Sequence, residues 1–218
     1  MKMRFDGMRF FTASIPFSGD KPKARAKRER GYNGAQPSTL SIPKISFSNN
    51  EKEKVSVIRE MTGQDGPRIL EIYKMGLETR NATFETEVPS WADWGAKHLS
   101  HSRFVFVENE KLLGWIALSP VSARKVYSGV AEVSVYVNTD VHGKGIGSNL
   151  MEKIVLSSEE KGIWTLYSSI FPENEATLRL HEKFGFRIIG RREKIAKLDG
   201  RWRDTILLER RSKVIGIE

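Results

Sequence analysis

Cysteine is absent from the 218 residues, and no apolar run approaches the length of a membrane helix. Without cysteine the chain can form no disulfide, no thiolate metal site and no cysteine nucleophile. A membrane-spanning helix needs about 20 mostly apolar residues, so we expect no membrane partner. Histidine is scarce, and His98, His101 and His142 lack the spacing of metal ligands, so we expect no bound metal.

The positive charge is concentrated near the start of the chain. Residues 1–50 contribute +7 to the formal net charge of +9, and a basic run covers Lys21–Arg30. Gly31–Asn50 is rich in Gly, Pro, Ser and Asn, so we predict a disordered basic extension over residues 1–53. The alternatives are an organelle transit peptide, an over-long gene start or a patch for an anionic surface. Aromatic residues do not interleave with the basic run, and nucleic acid is therefore not an expected partner.

The most informative segment is Ala131–Gly147, which reads AEVSVYVNTDVHGKGIG. An apolar β-branched run ends in a turn, glycines alternate at Gly143, Gly145 and Gly147, and a helical pattern follows at once. Such a turn can hold phosphate, because backbone N–H groups and the positive end of the helix dipole face the anion. A tight turn without a ligand is the alternative. The glycine spacing fits neither the dinucleotide fingerprint nor the P-loop.

A second block, Pro172–Phe186, reads PENEATLRLHEKFGF and predicts a helix that ends at a glycine. Ala176, Leu180 and Phe184 recur at i, i+4 and i+8, so we expect them on one buried face. Asn174, at the helix start, is either an N-cap or a ligand contact.

The remaining patterns predict a mixed α/β domain over residues 54–212, with a short tail at 213–218. The predicted element order is β-α-α-β-β-β-α-β-α-β-β. We expect Asp65 to cap the first helix, and Ser90 with Asp93 to form a capping box at the second. Two hairpin turns are expected, at Asn109-Glu110 and at Asp199-Gly200.

The glycine turn and the second block resemble signatures of the GCN5-related N-acetyltransferase (GNAT) superfamily. His142, Gly145 and Gly147 match the family's pyrophosphate loop, [QR]-x-x-G-x-[GA], with histidine in place of Gln or Arg. The second block is similar to N-x-x-A-x-x-[LY]-[YH]-x-[KR]-x-G-F. Over residues 55–211 the chain most resembles the phosphinothricin and methionine sulfoximine acetyltransferase branch, at Asn81–Thr86, Gly114–Trp115, Ser119–Tyr127, Ala131–Val137, Arg179–Glu182 and Asp199–Asp204.

The resemblance implies the GNAT fold, a mixed and mostly antiparallel sheet flanked by helices. In that fold a bulge in the central strand opens a V-shaped cleft, where pantetheine bonds to the backbone near Val135 and Val137. Acetyl-CoA is therefore the expected co-substrate. The residues implied to bind it are Val135, Tyr136, Val137, His142, Gly143, Lys144, Gly145, Ile146, Gly147, Ser148, Asn174 and Lys183.

Two residues are expected to carry the chemistry. Glu132 lies among apolar neighbours on the central strand, and burial raises the pKa of a carboxyl, so Glu132 suits a general base that deprotonates an amine. A structural carboxylate beside a basic neighbour is the alternative. The resemblance implies that His181 protonates the departing thiolate, whereas a histidine bonded to backbone near the helix end is the other interpretation.

The resemblance also implies a site for the acceptor. Phe84 matches an aromatic wall, and Arg124 and Tyr127 match contacts to the acceptor's acidic groups, since a guanidinium suits a carboxylate or phosphinate. Ser122 stands where related enzymes have lysine, which favours methionine sulfoximine or sulfone over phosphinothricin.

These patterns predict an enzyme that moves the acetyl group of acetyl-CoA by direct attack to the α-amine of a small amino-acid analogue. Acetylation of protein or peptide N-termini is the alternative, because it uses the same cofactor motifs. The expected partners are a small-molecule amine and a second copy of the chain in a homodimer. The expected location is the cytoplasm, with organelle targeting by the basic extension as the alternative.

Overall fold

The structure is a computed structural model that describes residues 55–217. The extension predicted over residues 1–53 lies outside the described residues, as do Lys54 and Glu218. The strands are β1 (Ser56–Glu60), β2 (Phe104–Glu108), β3 (Lys111–Pro120), β4 (Val130–Val137), β5 (Thr165–Ile170), β6 (Arg187–Leu198) and β7 (Arg201–Arg211). The helices are α1 (Gly66–Glu78), α2 (Trp91–Lys97), α3 (Ile146–Glu160) and α4 (Glu175–Lys183). The predicted order of strands and helices is confirmed.

The seven strands form one sheet in the order β1-β2-β3-β4-β5-β7-β6. Every neighbouring pair is antiparallel except β4 and β5, which confirms the mixed, mostly antiparallel sheet. Asp199 and Gly200 both have positive φ, 49° and 77°, as the two-residue hairpin turn between β6 and β7 requires. Asn109 and Glu110 form a similar turn between β2 and β3, with φ of 47° and 65°.

A cleft opens in the middle of this sheet. The parallel ladder between β4 and β5 joins Val130–Glu132 to Thr165–Tyr167 and then stops. Beyond it β4 stays paired with β3, and β5 stays paired with β7. The register between β3 and β4 runs without a shift, so the predicted bulge in the central strand is wrong. The cleft opens because each strand follows its antiparallel partner on the other side.

Two hydrogen bonds fix which backbone groups of β4 face the cleft. Asn138 N donates to Leu113 O at 2.8 Å, and Thr165 N donates to Gly129 O at 3.0 Å. Because the bonding direction alternates along a strand, the odd-numbered residues of β4 direct their N–H and C=O groups towards β5. Past the end of the ladder these groups belong to Val133, Val135 and Val137.

The core occupies both faces of the sheet. On one face α3 buries Leu150, Met151 and Ile154 completely, and on the other α1 buries Ile69 and Ile72 completely. Each such side chain contributes about 1.5–3 kcal/mol relative to an exposed one, which fixes the helices around the cleft.

Two glycines allow the helices to approach the sheet closely. A Cβ on Gly114 of β3 would lie 3.1 Å from Ile146 Cγ2, so the first turn of α3 rests directly on β3. A Cβ on Gly76 of α1 would lie 2.6 Å from the Tyr136 ring. These contacts place the start of α3 and the ring of Tyr136 beside the open end of β4.

The prediction that Asp65 caps α1 is wrong. Its carboxylate makes no cap bond to that helix. Instead it accepts hydrogen bonds from Arg59 Nη1 and Nη2 at 2.8 and 2.7 Å, and from Thr62 N at 2.7 Å. The paired guanidinium holds the pKa of Asp65 down at about 2. The interaction ties β1 to the turn that leads into α1.

The predicted buried face of α4 is also wrong in part. Ala176 is exposed and Leu180 is half-buried, and both line a cavity beside the glycine turn. The side chain that α4 buries most completely is His181, which is 1% exposed. An apolar helical stripe can face a cavity as well as a core, and periodicity does not distinguish the two.

We expect the substitution Asp65→Asn to lower the free energy of unfolding by about 2 kcal/mol at pH 7. The pKa of Asp65 is depressed in the folded state, so its stabilisation is present above about pH 4 and is lost as pH falls through about 2. Urea unfolding of both proteins between pH 2 and pH 7 measures the effect. The exposed Glu71→Gln is the matched control, and equal midpoints for Asp65→Asn and the unsubstituted protein at pH 7 would contradict the assignment.

Candidate active site

Two adjoining cavities occupy the cleft. The larger cavity, about 890 Å³, lies between the separated strands β4 and β5 and extends over β6 and β7. The smaller cavity, about 610 Å³, lies between the glycine turn and α4. The residues that line both cavities are Ala82, Val135, Tyr136, Asn174 and Thr177. One cleft therefore contains two connected binding volumes.

The smaller cavity collects all the residues that the sequence predicts for cofactor binding. They are Val135, Tyr136, Val137, His142, Gly143, Lys144, Gly145, Ile146, Gly147, Ser148, Asn174 and Lys183. Gly145 immediately precedes α3 with φ of 79°, a left-handed conformation that glycine adopts without a steric penalty. The first turn of this 15-residue helix thus faces the cavity with its unpaired N–H groups, a geometry suited to phosphate oxygens.

His142 makes a contact that the sequence did not indicate. Its Nε2 lies 3.2 Å from Val137 O. A carbonyl oxygen only accepts, so this hydrogen bond places a proton on Nε2. Val137 O is one of the backbone groups that face the cleft, and the imidazole therefore occupies one of the acceptors along the open edge of β4.

Asn174 caps α4 and also holds a loop. Its Oδ1 accepts from Thr177 N at 3.2 Å, which is the predicted N-cap bond. Its Nδ2 donates to Asn81 O at 3.0 Å. The N-cap interpretation is confirmed, and the same side chain fixes the segment after α1 against the start of α4, where the two cavities meet.

Glu132 lies half-buried in the wall of the larger cavity, at the last rung of the β4–β5 ladder. Burial raises the pKa of its carboxyl, and the charge of the Arg192 guanidinium partly opposes that shift. Its partner across the ladder is Tyr167. Burial also raises the phenol pKa of Tyr167, and the charge of Arg192 again opposes part of that shift. A carboxyl with a raised pKa on a cavity wall can act as a base near neutral pH.

His181 lies in the larger cavity with both ring nitrogens engaged. Nδ1 is 2.8 Å from Thr177 O, and Nε2 is 2.8 Å from Ser168 Oγ. Because the carbonyl only accepts, the proton of the neutral ring lies on Nδ1, and Ser168 donates its hydroxyl proton to Nε2. Burial lowers the pKa of His181, which favours this neutral form. The predicted acid role needs a proton on Nε2, where the neutral ring has none.

Phe84 forms part of the wall of the larger cavity, as the sequence predicts. Its ring meets Phe171 edge-on, with centroids 4.8 Å apart. The Arg203 guanidinium lies over the other ring, its Cζ 4.2 Å from the Phe171 centroid, and donates to Arg80 O at 3.1 Å. Arg203 thereby fastens the segment that carries Phe84 to strand β7.

Arg124 and Tyr127 line neither cavity. Both are exposed, and the Arg124 Cζ lies 5.4 Å from the Tyr127 ring centroid. The structure therefore places them outside the cavity wall that carries Glu132. The polar residues of the larger cavity that the sequence analysis missed are Thr83, Glu85, Ser134, Tyr167, Ser168, Ser169, Thr177, Arg192 and Thr205. They come from the segment after α1, from strands β4, β5, β6 and β7 and from α4, and no local pattern specifies the register that brings them together.

Within residues 55–217, no group of three or more metal-ligating side chains could hold an ion. Over the same range, no helix has both the length and the apolar character that a membrane crossing requires.

Comparisons with known proteins agree with this geometry. The sequence profile of the Acetyltransferase (GNAT) family matches residues 67–186. YwnH of Bacillus subtilis, whose name places it provisionally among phosphinothricin acetyltransferases, is 33% identical over 153 residues, 67% of this chain and 93% of that protein. The L-methionine sulfoximine/L-methionine sulfone acetyltransferase of Pseudomonas aeruginosa is 27% identical over 158 residues, 70% of this chain and 92% of that protein.

A solved N-acetyltransferase from Staphylococcus aureus has the same fold. It superposes with a TM-score of 0.67 at 27% identity, over 72% of this chain and 98% of that one. The profile match covers more than half of the 218 residues and spans the glycine turn, the central strand and α4. The chain therefore belongs to the acetyltransferase (GNAT) family.

Proposed function

We propose that this enzyme transfers the acetyl group of acetyl-CoA to the α-amine of a small amino-acid analogue. As a GNAT acetyltransferase, the chain uses acetyl-CoA as its co-substrate. The observation that carries the proposal is the connection of the two cavities at Val135 and Tyr136. A phosphate-binding helix start lines the smaller cavity, and a carboxyl with a raised pKa, Glu132, lines the larger one.

The smaller cavity is the proposed site of the cofactor. The N–H groups of Gly143–Ser148 would bind the pyrophosphate, aided by the positive end of the α3 dipole. Pantetheine would lie along the open edge of β4 and use the free backbone groups of Val135. Val137 O already accepts from His142, so binding along the whole edge requires the imidazole to share or release that carbonyl.

The larger cavity is the proposed site of the chemistry. Glu132 takes one proton from the acceptor's ammonium group, and the nitrogen lone pair then attacks the thioester carbonyl carbon. The C–S bond breaks as the tetrahedral intermediate collapses, and the thiolate takes up the second proton released by the nitrogen. We assign His181 as a positioning residue, because its Nε2 holds the Ser168 hydroxyl in the cavity wall.

Two observations support a small amino-acid acceptor. A cavity of about 890 Å³ has the size of a small-molecule site, and Phe84 and Phe171 close one side of it. The relatives from Bacillus and Pseudomonas are named for phosphinothricin and for methionine sulfoximine or sulfone. A peptide N-terminus is the competing acceptor, since it presents the same amine to the same cofactor.

We expect free amino-acid analogues to outperform peptides as acceptors. Thiol release from acetyl-CoA, measured with methionine sulfoximine, methionine sulfone, phosphinothricin and short peptides, gives the ranking. The family resemblance ranks methionine sulfoximine or sulfone above phosphinothricin, because Ser122 stands where related enzymes have lysine, although Ser122 lines neither cavity. Higher kcat/KM for peptides than for every amino-acid analogue would overturn the proposal in favour of N-terminal acetylation.

The substitution Gly145→Glu should raise the KM for acetyl-CoA at least tenfold, a loss of about 1.4 kcal/mol or more. A carboxylate would stand where the pyrophosphate binds. Gly162→Glu is the matched control, because Gly162 has a similar φ of 76° at the opposite end of α3 and lines neither cavity. Both variants should lose about 1–2 kcal/mol of stability from the strained backbone. If the two variants had the same KM for acetyl-CoA, the phosphate site would lie elsewhere.

The substitution Glu132→Gln should lower kcat roughly 10²- to 10⁴-fold while acetyl-CoA binding is retained. The deficit should shrink as pH rises, because more of the amine is then already deprotonated. In the unsubstituted enzyme kcat should fall as pH drops through the raised pKa of Glu132. Glu209→Gln is the control, since Glu209 lies on the same sheet face, paired with Tyr167, but lines neither cavity. Unchanged kcat for Glu132→Gln at neutral pH would return Glu132 to a structural role.

A further inference from the structure

We propose that Arg192 and Thr205 bind the α-carboxylate of the acceptor, the role that the sequence resemblance gives to Arg124 and Tyr127. The inference rests on the proposed function, because it concerns the acceptor of that reaction. It makes the β6–β7 hairpin the element that distinguishes a free amino acid from a peptide.

Arg192 and Thr205 are neighbours on one face of the sheet. They are opposite each other in the β6–β7 register, and both line the larger cavity. Directly opposed residues of antiparallel strands have Cβ atoms about 4.5–5.5 Å apart, so one small anion can reach both side chains. The charge of Arg192 also acts on Glu132 and Tyr167, since it lowers the pKa of each. Arg192 and the proposed base, Glu132, line the same cavity.

Thr205 supplies the second, independent observation. Thr205 is 3% exposed, and its Oγ1 has no hydrogen-bond partner within residues 55–217. A buried polar group left without a partner costs about 1–3 kcal/mol, so native structures rarely retain one. The residue lines the larger cavity, where a ligand oxygen could accept the proton of this hydroxyl once the side chain rotates towards it.

Arg192 differs from the other arginines of its strand. Arg187 pairs with Glu209, and Arg191 donates to Asp204 through Nε at 2.8 Å. No hydrogen bond or ion pair to another described residue engages the guanidinium of Arg192. A free guanidinium presents two parallel N–H donors, which match the two oxygens of a carboxylate.

A bulge in β6 adjusts the direction of Arg192. The register with β7 shifts between Arg192 and Ala196, and Lys194 adopts a φ of 48°. Asp204 holds this bulge, because its Oδ1 accepts from Lys194 N at 2.7 Å while its other oxygen accepts from Arg191. Bulges beside active sites commonly redirect a side chain. Asp204 is thus a positioning residue for Arg192.

The position of the base identifies which acidic group meets the guanidinium. The amine that is acetylated must lie at Glu132, and the carboxyl carbon of an α-amino acid is only two bonds from that nitrogen. A cation close to Glu132 therefore meets the α-carboxylate rather than a remote side-chain acid. In a peptide the same position carries a neutral amide, which cannot form the charged pair.

The test compares methionine sulfone with its α-carboxamide as acceptors. The enzyme should prefer the acid by about 10- to 100-fold in kcat/KM, the range for a hydrogen bond to a charged group. Arg192→Ala should remove this preference by lowering kcat/KM for the acid 10- to 100-fold and for the amide less than threefold. Arg192→Lys should restore part of it. Arg187→Ala is the matched control on the same strand and should leave both values unchanged.

Thr205→Val separates binding from structure. Valine keeps the shape and replaces the hydroxyl with a methyl group, and that hydroxyl has no partner among residues 55–217. The melting temperature should therefore stay the same or rise, while KM for the acid increases about fivefold and KM for the amide does not. A lower melting temperature with equal changes for both acceptors would show a structural role and overturn the assignment.

The remaining outcomes distinguish this inference from the proposed function. If the enzyme acetylates peptides and no free amino acid, the proposed function is wrong. If it acetylates methionine sulfone and Arg192→Ala lowers acid and amide equally, only the carboxylate site is wrong. Loss of the acid preference in Arg124→Ala, with the preference intact in Arg192→Ala, would return the role to Arg124.

Discussion

The short parallel ladder between β4 and β5 is the constraint on which the site depends. It joins the two halves of the sheet for three residues and ends at Glu132. Beyond that point β4 continues with β3, and β5 continues with β7, so the backbone of β4 has an edge without a partner. Such an edge accepts an additional strand-like ligand. The rung that ends the ladder also carries the proposed base, which places proton transfer in the wall of the larger cavity.

Burial and the charge of Arg192 have opposite effects on the pKa of the proposed base in the larger cavity. Burial raises the pKa of Glu132, while the Arg192 guanidinium lowers it. Burial acts on His181 in the opposite direction and keeps the imidazole neutral. The same cavity thus holds a carboxyl made more basic and an imidazole made less basic. Opposite shifts of this kind give neighbouring groups different roles at one pH.

Features that depend on local backbone geometry could be predicted from the sequence. The turn at Asp199-Gly200 and the left-handed Gly145 follow from steric rules that involve only a few residues. The element order followed from the same local patterns, whereas the family resemblance implied the cofactor residues that line the smaller cavity. The buried face of α4 could not be predicted in this way, because an apolar stripe has the same period whether it meets a core or a cavity. The predicted cap at Asp65 was wrong because its carboxylate binds the guanidinium of Arg59, six residues earlier, instead of the N–H groups of the helix.

The larger cavity was less predictable because its residues come together through long-range register. Arg192 faces Thr205 only because a bulge shifts β6 against β7, and no local pattern specifies that shift. Sequence similarity instead pointed to Arg124, which packs on Tyr127 at the surface. Motifs in the sequence indicated the loop proposed to bind the cofactor, whereas the pairing of the last two strands brings together the residues proposed to bind the acceptor.

The proposed carboxylate site would couple acceptor binding to the strength of the base. Without an acceptor, the charge of Arg192 lowers the pKa of Glu132 and opposes burial. A bound carboxylate neutralises that charge and excludes water from the cavity, which leaves burial as the main influence on Glu132. The proton affinity of Glu132 then rises when an α-amino acid occupies the site. An acceptor without the carboxylate would leave the Arg192 charge uncompensated and the base weaker. Arg192 would in this way contribute to rate as well as to affinity, through the same charge that selects the acceptor.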